Sequence, residues 1–511
     1  MTRSLIAFDA DRIKRYIFAT GTLKEIRGAS RLLVTLNHEK MQRIVSRELG
    51  GTCYYAAGGS GIFSIETARA NEAIQRVQQV YTEYTGGAAT ITGVAVELPT
   101  DFDEQTGNVQ EFWQLLSYRL QAKKARNPTY YSAVTHPLLR PGDSDGNRYA
   151  VYSDNNEAET FISRAVQYKR TENDRIRRIA EKQGRPLPED FDAIARASSP
   201  NNYFALLVAD GDGLGQAFAA CRTLPDIQEL ATGIHNTLEH VVNDAAAKLL
   251  LSSTEYDVLL QGGDDLVVAL PAHKALDFAL LVAESFTQQT QQKLQQTFTL
   301  STAVVWAHTR FPFGAWHDLA ESALKFTKQQ RARRRGKNAA DIENAADMEP
   351  LINFLVISSA NHLDFGSYYE QVLMTEGKNE YEQIIRTMRP YTISDLRNLM
   401  SYRRDNQKLA GIPRSKLEAL RRAIFQSSAP QAMLDALHVL VHWRGQNTRR
   451  AIHQLLHDYL DQGQQERLLF PFVQRKTPDT FDKEETMVTY RTPLADLAEV
   501  WDFIPGASHE K

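Results

Sequence analysis

The stretch 261-QGGDDLVVAL-270 sets two carboxylates behind two glycines and then runs into an apolar strand. The stretch 57-AGGSGIFSI-65 repeats that outline without the acids. Around the first, periodicity reads a strand at 203-YFALLVAD-210, an amphipathic helix near 226–251, and a hairpin of 256-YDVLLQ-261 with 265-DLVVAL-270. A helix near 272–294, the strand 299-TLSTAVVWAH-308 and a helix near 315–331 follow. Around the second the order is the same. It runs through a strand at 5-LIAFDA-10, helical pattern to about Leu49, strands at 52-TCYYAA-57 and 61-GIFSIE-66, a helix near 69–85, the strand 89-ATITGVAVEL-98 and a helix near 108–125. The offset drifts from 201 (Asp9 to Asp210) to 210 (Ala89 to Thr299), as loop insertions in a duplicated domain would produce.

Strand, helix, hairpin, helix, strand is the order of a ferredoxin-like, palm-type α+β unit, an antiparallel sheet with helices on one face. The fold class expected is therefore α+β, with two such palms and an α-helical C-terminal domain. Residues 1–130 read as the first palm, 131–200 as an inter-palm segment, 201–370 as the second palm and 371–511 as the helical domain. The inter-palm segment is turn-rich at 137-PLLRPGDSDGNRYA-150 and strongly charged from 168 to 202. In the tail, Thr392 and Asp395 read as a capping box before Leu396, Leu399 and Met400, with helices expected at 413–425, 430–443, 447–461 and 492–503.

At 511 residues the chain is long enough for several domains. With 24% charged residues and a formal net charge of −3 it is not a basic nucleic-acid binder as a whole, so a polyanion site has to be local. The only cysteines are Cys53 and Cys221, with no CxxC, which fits a reduced cytoplasmic protein and leaves no cysteine zinc site. No apolar run reaches signal-peptide or membrane-spanning length, so no membrane partner is expected, and nothing in the composition excludes an oligomer.

Asp210 ends an apolar strand, and Asp264 and Asp265 lie at a hairpin turn expected beside it. Carboxylates this close suppress one another's ionisation unless hard cations neutralise them, so the trio points to Mg²⁺ or Mn²⁺. Two such ions about 3.5–4 Å apart would support in-line attack of a 3′-hydroxyl on an α-phosphate, which is nucleotidyl transfer. Gly262 and Gly263 leave room for a nucleotide against the backbone. In 210-DGDGLG-215, Gly211, Asp212 and Gly213 are candidates for phosphate or a further ligand, with Asp212 equally readable as a turn residue. Lys328 and Lys337, in the basic run 325-KFTKQQRARRRGKN-338, are candidates for a triphosphate tail. In the first copy Ser60 and Gly61 stand where the hairpin acids are expected, and Gly58, Gly59 and Ser60 could still hold a nucleotide through the backbone.

Two i,i+4 histidine pairs, His438 with His442 and His453 with His457, have metal-compatible spacing but no accompanying HExxH glutamate, and read as ordinary helix histidines. The basic stretch from Arg397 to Arg422 also contains acids and reads as a solvated face with partner contacts.

The combination of 23-LKEIRGASRLL-33 after 8-FDAD-11, the GGSG hairpin, 207-LVADGDGLGQAF-218, 262-GGDD-265 and 336-GKN-338 resembles the large subunit of type III CRISPR effector complexes. That family has two GGDEF-like palm domains and is similar to diguanylate cyclases. The resemblance extends into the tail at 413-PRSKLEALRRAI-424 and 492-TPLADLAEVWDF-503. It implies polymerisation of ATP into cyclic oligoadenylate messengers, metals carried by Asp210, Asp264 and Asp265, and a second ATP on a non-catalytic first palm. The partners it implies are the other effector subunits with guide and target RNA. Family members often begin with an HD nuclease domain and carry a cysteine zinc module between the palms. Here the first palm starts at residue 5 and 137–150 has no cysteine, so neither is expected. Those departures favour, as alternatives, a free-standing synthase or a mainly scaffolding subunit.

Overall fold

The computed structural model describes residues 2–126, 138–146, 148–154, 160–337, 349–357, 362, 364–376, 382–405, 409, 412–443, 446–460, 466–478 and 486–506. The first unit runs β1 (Arg3–Asp11), α1 (Ile13–Ile17), α2 (Leu23–Val34), β2 (Thr52–Ala57), β3 (Ser60–Glu66), α3 (Ala70–Tyr84), β4 (Thr90–Glu97) and α4 (Gln110–Arg126). Helix α2 continues to Glu48 in wider π-type turns. Its sheet has the order β2-β3-β1-β4 with every pairing antiparallel, the ferredoxin-like arrangement expected.

One expectation is corrected here: helices do not cover a single face. On one side Ile6, Phe8 and Ala10 pack under α2 and α3. On the other, Leu5 and Ala7 join Val109 and Leu116 near and on α4, and Leu224 and Ile227 of the second palm. The run 5-LIAF-8 is apolar at consecutive positions, as a strand buried on both faces requires.

Between the palms come a two-stranded hairpin, β5 (Tyr152–Asp154) with β6 (Thr160–Ile162), then α5 (Arg164–Lys182) and α6 (Phe191–Arg196). The charged stretch at 168–202 packs through particular residues, among them Lys169, Asn173, Ile194 and Ala195, while most of 174–187 stays exposed. A Cβ added at Gly28 on α2 would fall on the Lys169 carbonyl, so the missing side chain lets α5 approach. Buried Lys169 donates to the Tyr16 carbonyl, and Arg170 pairs with buried Glu25 at 2.8 Å. Arg27, 2% exposed, reaches Asp257 at 2.7 Å, Asn173 at 3.0 Å and the Pro188 carbonyl at 2.7 Å, so one side chain ties the first palm to the inter-palm segment and the second palm.

The second unit repeats the first: β7 (Tyr203–Asp212), α7 (Leu214–Ala220), α8 (Leu224–Lys248), β8 (Asp257–Gly262), β9 (Asp265–Pro271), α9 (Ala275–Leu294), β10 (Thr299–His308) and α10 (Phe313–Lys337). Thr223 and Asp226 form a capping box at the start of α8. The sheet order is β11-β10-β7-β9-β8, the first palm's order extended by β11 (Leu351–Val356), which runs parallel to β10.

The tail is helical where expected but also builds a sheet. It contains α11 (Phe365–Tyr368), β12 (Met374–Glu376), β13 (Glu382–Ile385), α12 (Ile393–Arg404), α13 (Arg414–Ile424), α14 (Ala429–Val441), α15 (Gln446–His457), β14 (Glu466–Leu469), β15 (Phe472–Pro478), β16 (Thr486–Arg491) and α16 (Leu494–Val500). Thr392 caps α12 by accepting from the Asp395 amide, which is one half of the capping box read from the sequence; among the described residues the Asp395 side chain forms no return bond to Thr392. The five strands pair as β12-β13-β16-β15-β14. These are short segments, so their two-residue period carries little signal. Arg389, almost wholly buried, joins the tail to the second palm by contacting Asp496 and Glu499 at 3.0 Å each and donating to the Phe354 carbonyl on β11.

Candidate active site between the two palms

Strand β7 places Asp210 opposite Ser301 and Asp212 opposite Thr299 on β10. The hairpin of β8 and β9 closes with Gly262 opposite Asp265, leaving Gly263 and Asp264 as the turn. Gly263 has φ +64°, a left-handed conformation that glycine adopts without a Cβ penalty. Asp264 is brought against Asp210, with a hydrogen bond between the two carboxyl groups. Burial, then the Asp210 and Asp265 carboxylates, push the Asp264 carboxyl up to about 7.

Lysines stand among these acids. Lys328 on α10 pairs with Asp210 at 2.5 Å and donates to the Gly211 carbonyl at 3.3 Å. Asp265 meets Lys14, on α1 of the first palm, at 2.9 Å, and Lys14 also pairs with Glu321 on α10 at 3.1 Å. Burial works against the Lys14 charge, but the two carboxylates outweigh it and hold its pKa above the usual lysine range. Next to Glu321, burial and then Lys14 push the His317 imidazole down to about 3, so it stays neutral, stacked on Phe18.

The expected sites are therefore brought together only in part. Asp210 and Asp264 meet, whereas Asp265 is engaged with Lys14. Among the described residues no three carboxylate, imidazole or thiolate groups gather into a ready-made metal cradle. Asp210 and Asp264 nonetheless fit Mg²⁺, which is held by one or two carboxylates and takes its other ligands from water and phosphate. The desolvated Asp264, short of a counter-charge, is the observation that carries that fit.

Asp212 does not face a ligand. It is 5% exposed and is held by Thr299 at 2.9 Å, Ser301 at 2.7 Å and Arg331 at 3.2 Å. Gly211 leaves room for the Asp264 side chain, to which an added Cβ would come within 2.9 Å, and Gly213, φ +80°, caps the short α7. Lys337 is the last residue of α10, and its side chain lies outside the described residues.

The first palm repeats the supporting network without the acids of the turn. Lys124 on α4 pairs with Asp9 at 2.6 Å and donates to the Ala10 carbonyl, as Lys328 does with Asp210 and Gly211. Asp11 accepts from Thr90 and Thr92, as Asp212 does from Thr299 and Ser301. The hairpin correspondence read from the sequence shifts by one residue, however. Strands β2 and β3 close at Ala57 and Ser60 with Gly58 and Gly59 as the turn, so Gly59 takes the place of Asp264 and Ser60 that of Asp265.

The two turns also touch. A Cβ on Gly58 would come within 2.8 Å of main-chain atoms of Gly262 and Gly263, and one on Gly262 within 2.8 Å of the Gly58 Cα. The room expected there for nucleotide is taken by the opposite hairpin. Beside the contact opens a cavity of 430 Å³ between the palms, with Asp9, Tyr55 and Ser60 on one wall and Gly263, Asp264 and Asp265 on the other. Trp113 and Phe218 also line it, their rings stacked 6.3 Å apart across the palms.

Lys14, Glu321, Tyr55 and Lys124 were not singled out from the sequence. Lys124 had a signal: in the helix after the fourth strand it occupies the place that Lys328 has in the other copy. The histidine pairs on α14 and α15 belong to no metal-binding group among the described residues.

Residues 203–340 match the family model "Cas10/Cmr2, second palm domain". In sequence, this segment is similar to a Cas10/Cmr2 second palm domain. No curated protein matches the sequence. Among solved structures, the chain is similar to a Csm1-Csm4 cassette in complex with cA4, at 13% identity and TM-score 0.56, covering 86% of this chain and 65% of that one. A Csm1-Csm4 cassette in complex with cA3 gives 14% identity and TM-score 0.55, covering 99% and 70%. Csm1 in T. onnurineus gives 15% identity and TM-score 0.52, covering 89% and 67%. The chain thus spans about two thirds of the length of the structures it matches. The resemblance to the large palm-domain subunit of type III CRISPR complexes holds in sequence for the Cas10/Cmr2 palm and in fold for the chain. No helix among the described residues is long and apolar enough to cross a membrane.

Proposed function

We propose that the chain is a metal-dependent nucleotidyltransferase that converts ATP into cyclic oligoadenylate in type III CRISPR antiviral defence. The observation that carries the reading is buried Asp264, set beside Asp210 and lining, with Asp265, a cavity shared by two palms. In the reaction, the 3′-hydroxyl oxygen of one ATP bonds to the α-phosphorus of another, the bond to the bridging oxygen breaks, pyrophosphate leaves and the hydroxyl proton passes to water; the same attack by the terminal 3′-hydroxyl on the chain's own 5′ α-phosphorus closes the ring. A divalent ion held by Asp210 and Asp264, joined by Asp265, would neutralise phosphate charge and lower the pKa of the attacking hydroxyl.

The protein's own groups do the rest. Lys328 beside Asp210 and Lys14 beside Asp265 supply positive charge for phosphate oxygens. Trp113 and Phe218 offer ring faces for a base. The first palm, with no acid in its turn and with Asp9 and Ser60 on the cavity wall, positions the second nucleotide. The similar structures of Csm1-Csm4 cassettes in complex with cA3 or cA4 support this product class and a type III partner subunit.

The experiment is incubation of the purified chain with ATP and Mg²⁺ or Mn²⁺, alone and with a guide complex. Cyclic oligoadenylate is the expected product. No cyclic product under either condition would end the catalytic reading and leave the scaffolding one.

A further inference from the structure

The acids of the second palm are balanced in part by a lysine that the second palm does not own. Asp210 and Asp265 act on both Asp264 and Glu321, and two ammonium groups, Lys14 and Lys328, contact this group of four carboxyls. Lys328 belongs to the same fold unit as the acids. Lys14 comes from α1 of the first palm and bridges Asp265 and Glu321, with 29% of its side chain exposed. When all four acids are ionised the group is two positive charges short, which one divalent ion supplies. An ion that recruits Asp265, however, contends with an ammonium group 2.9 Å from that carboxylate.

We propose that Lys14 is an internal counter-ion of the second palm's acid cluster, which a divalent cation displaces from Asp265 on binding. The proposal rests on the nucleotidyl-transfer reading and concerns how its metal site is regulated. Because Lys14 and Asp265 lie on different palms, metal occupancy and this inter-palm contact are linked. Whatever holds the palms together through Lys14 weakens metal binding, and metal binding weakens that contact by the same factor. Lys14 is a positioning residue, acting on the metal through Asp265.

The test uses the full chain and Mn²⁺ alone, with free ion measured by electron paramagnetic resonance. Lys14→Met is expected to tighten Mn²⁺ binding about tenfold, since a competing unit charge is removed beside the site. Lys14→Arg, which keeps the charge, should stay within about threefold of the wild type, and Lys248→Met, a remote loss of the same charge, within about twofold. In an Asp265→Asn background, adding Lys14→Met should have no further effect.

A second measurement needs no variant and so does not depend on how Lys14→Met folds. Mass-spectrometric acylation of wild-type Lys14 should rise several-fold when Mn²⁺ is added, as the ammonium leaves Asp265. If Mn²⁺ binds the wild type but neither Lys14 labelling nor the Lys14→Met dissociation constant changes, the proposal is wrong and the nucleotidyl-transfer reading stands. If no Mn²⁺ binds at millimolar concentration, both are wrong.

Discussion

Gly58 and Gly262 meet backbone to backbone, so the two palms touch at the points where each hairpin turns. Neither position has space for a methyl group, and the cavity shared by the palms opens beside this contact. The width of that cavity is therefore fixed in part by two absent side chains.

Gly262→Ala should separate the hairpins and destabilise the protein by about 1–3 kcal/mol, the usual cost of overpacking. Gly263→Ala is the informative contrast. Its added Cβ meets only the Tyr55 hydroxyl, at 3.6 Å, so its cost comes from φ +64° and should be about 1 kcal/mol. Urea unfolding separates the two, and equal losses would mean that the hairpin contact is not tight.

Replacing Asp264 and Asp265 together by alanine should lower ATP-derived product by about three orders of magnitude or more, several kcal/mol of lost charge stabilisation. Circular dichroism should be unchanged, because the exchange removes carboxyls that repel one another in the metal-free fold. Retained synthesis would place the chemistry elsewhere.

The raised pKa of Asp264 makes a stability prediction with a definite sign. In the metal-free fold this carboxyl keeps its proton up to about pH 7, whereas in the unfolded chain it ionises in the ordinary carboxylate range. Its contribution is therefore complete at low pH and is lost as pH rises through about 7. In EDTA, the thermal midpoint should fall between pH 5 and pH 8, and Asp264→Asn should remove part of that fall. An equal fall in the variant would show that Asp264 is not the group responsible.

Asp212→Asn should separate support from ligation. The carboxylate is buried against Thr299, Ser301 and Arg331, so the variant should unfold at lower temperature while its Mn²⁺ dissociation constant stays within about twofold. A large change in Mn²⁺ affinity would return Asp212 to the ligand set.

Arg27→Met should destabilise the chain by about 3–5 kcal/mol, since Asp257 would be left buried without its partner. Adding Asp257→Asn should recover part of that loss in a double-mutant cycle by chemical denaturation.

The duplicated order of elements was legible because long apolar strands and amphipathic helices carry strong periods. Residues 299–308 form a strand over the very range read from the sequence. The meeting of Asp210 with Asp264 was legible too, as strand-end and hairpin positions in one palm. What escaped was long-range or short. Lys14 and Asp265 are 251 positions apart, and no local pattern joins them. The tail strands β12, β13 and β14 are three or four residues long. The hairpin slip escaped because a run of glycines carries no side chains to fix which residues form the turn.

That slip also closes a route back. Of the positions that look equivalent in sequence, Ser60 corresponds to Asp265 and Gly61 to no acid of the other turn. The position that does correspond to Asp264 is Gly59, where φ is +83° and any side chain would collide with Ile13. An acid at the position of Asp264 in the first palm would therefore need a change at Ile13 as well. The asymmetry between the copies is built into packing: the bare turn of one palm is held by its own neighbours and presses on the acid-bearing turn of the other.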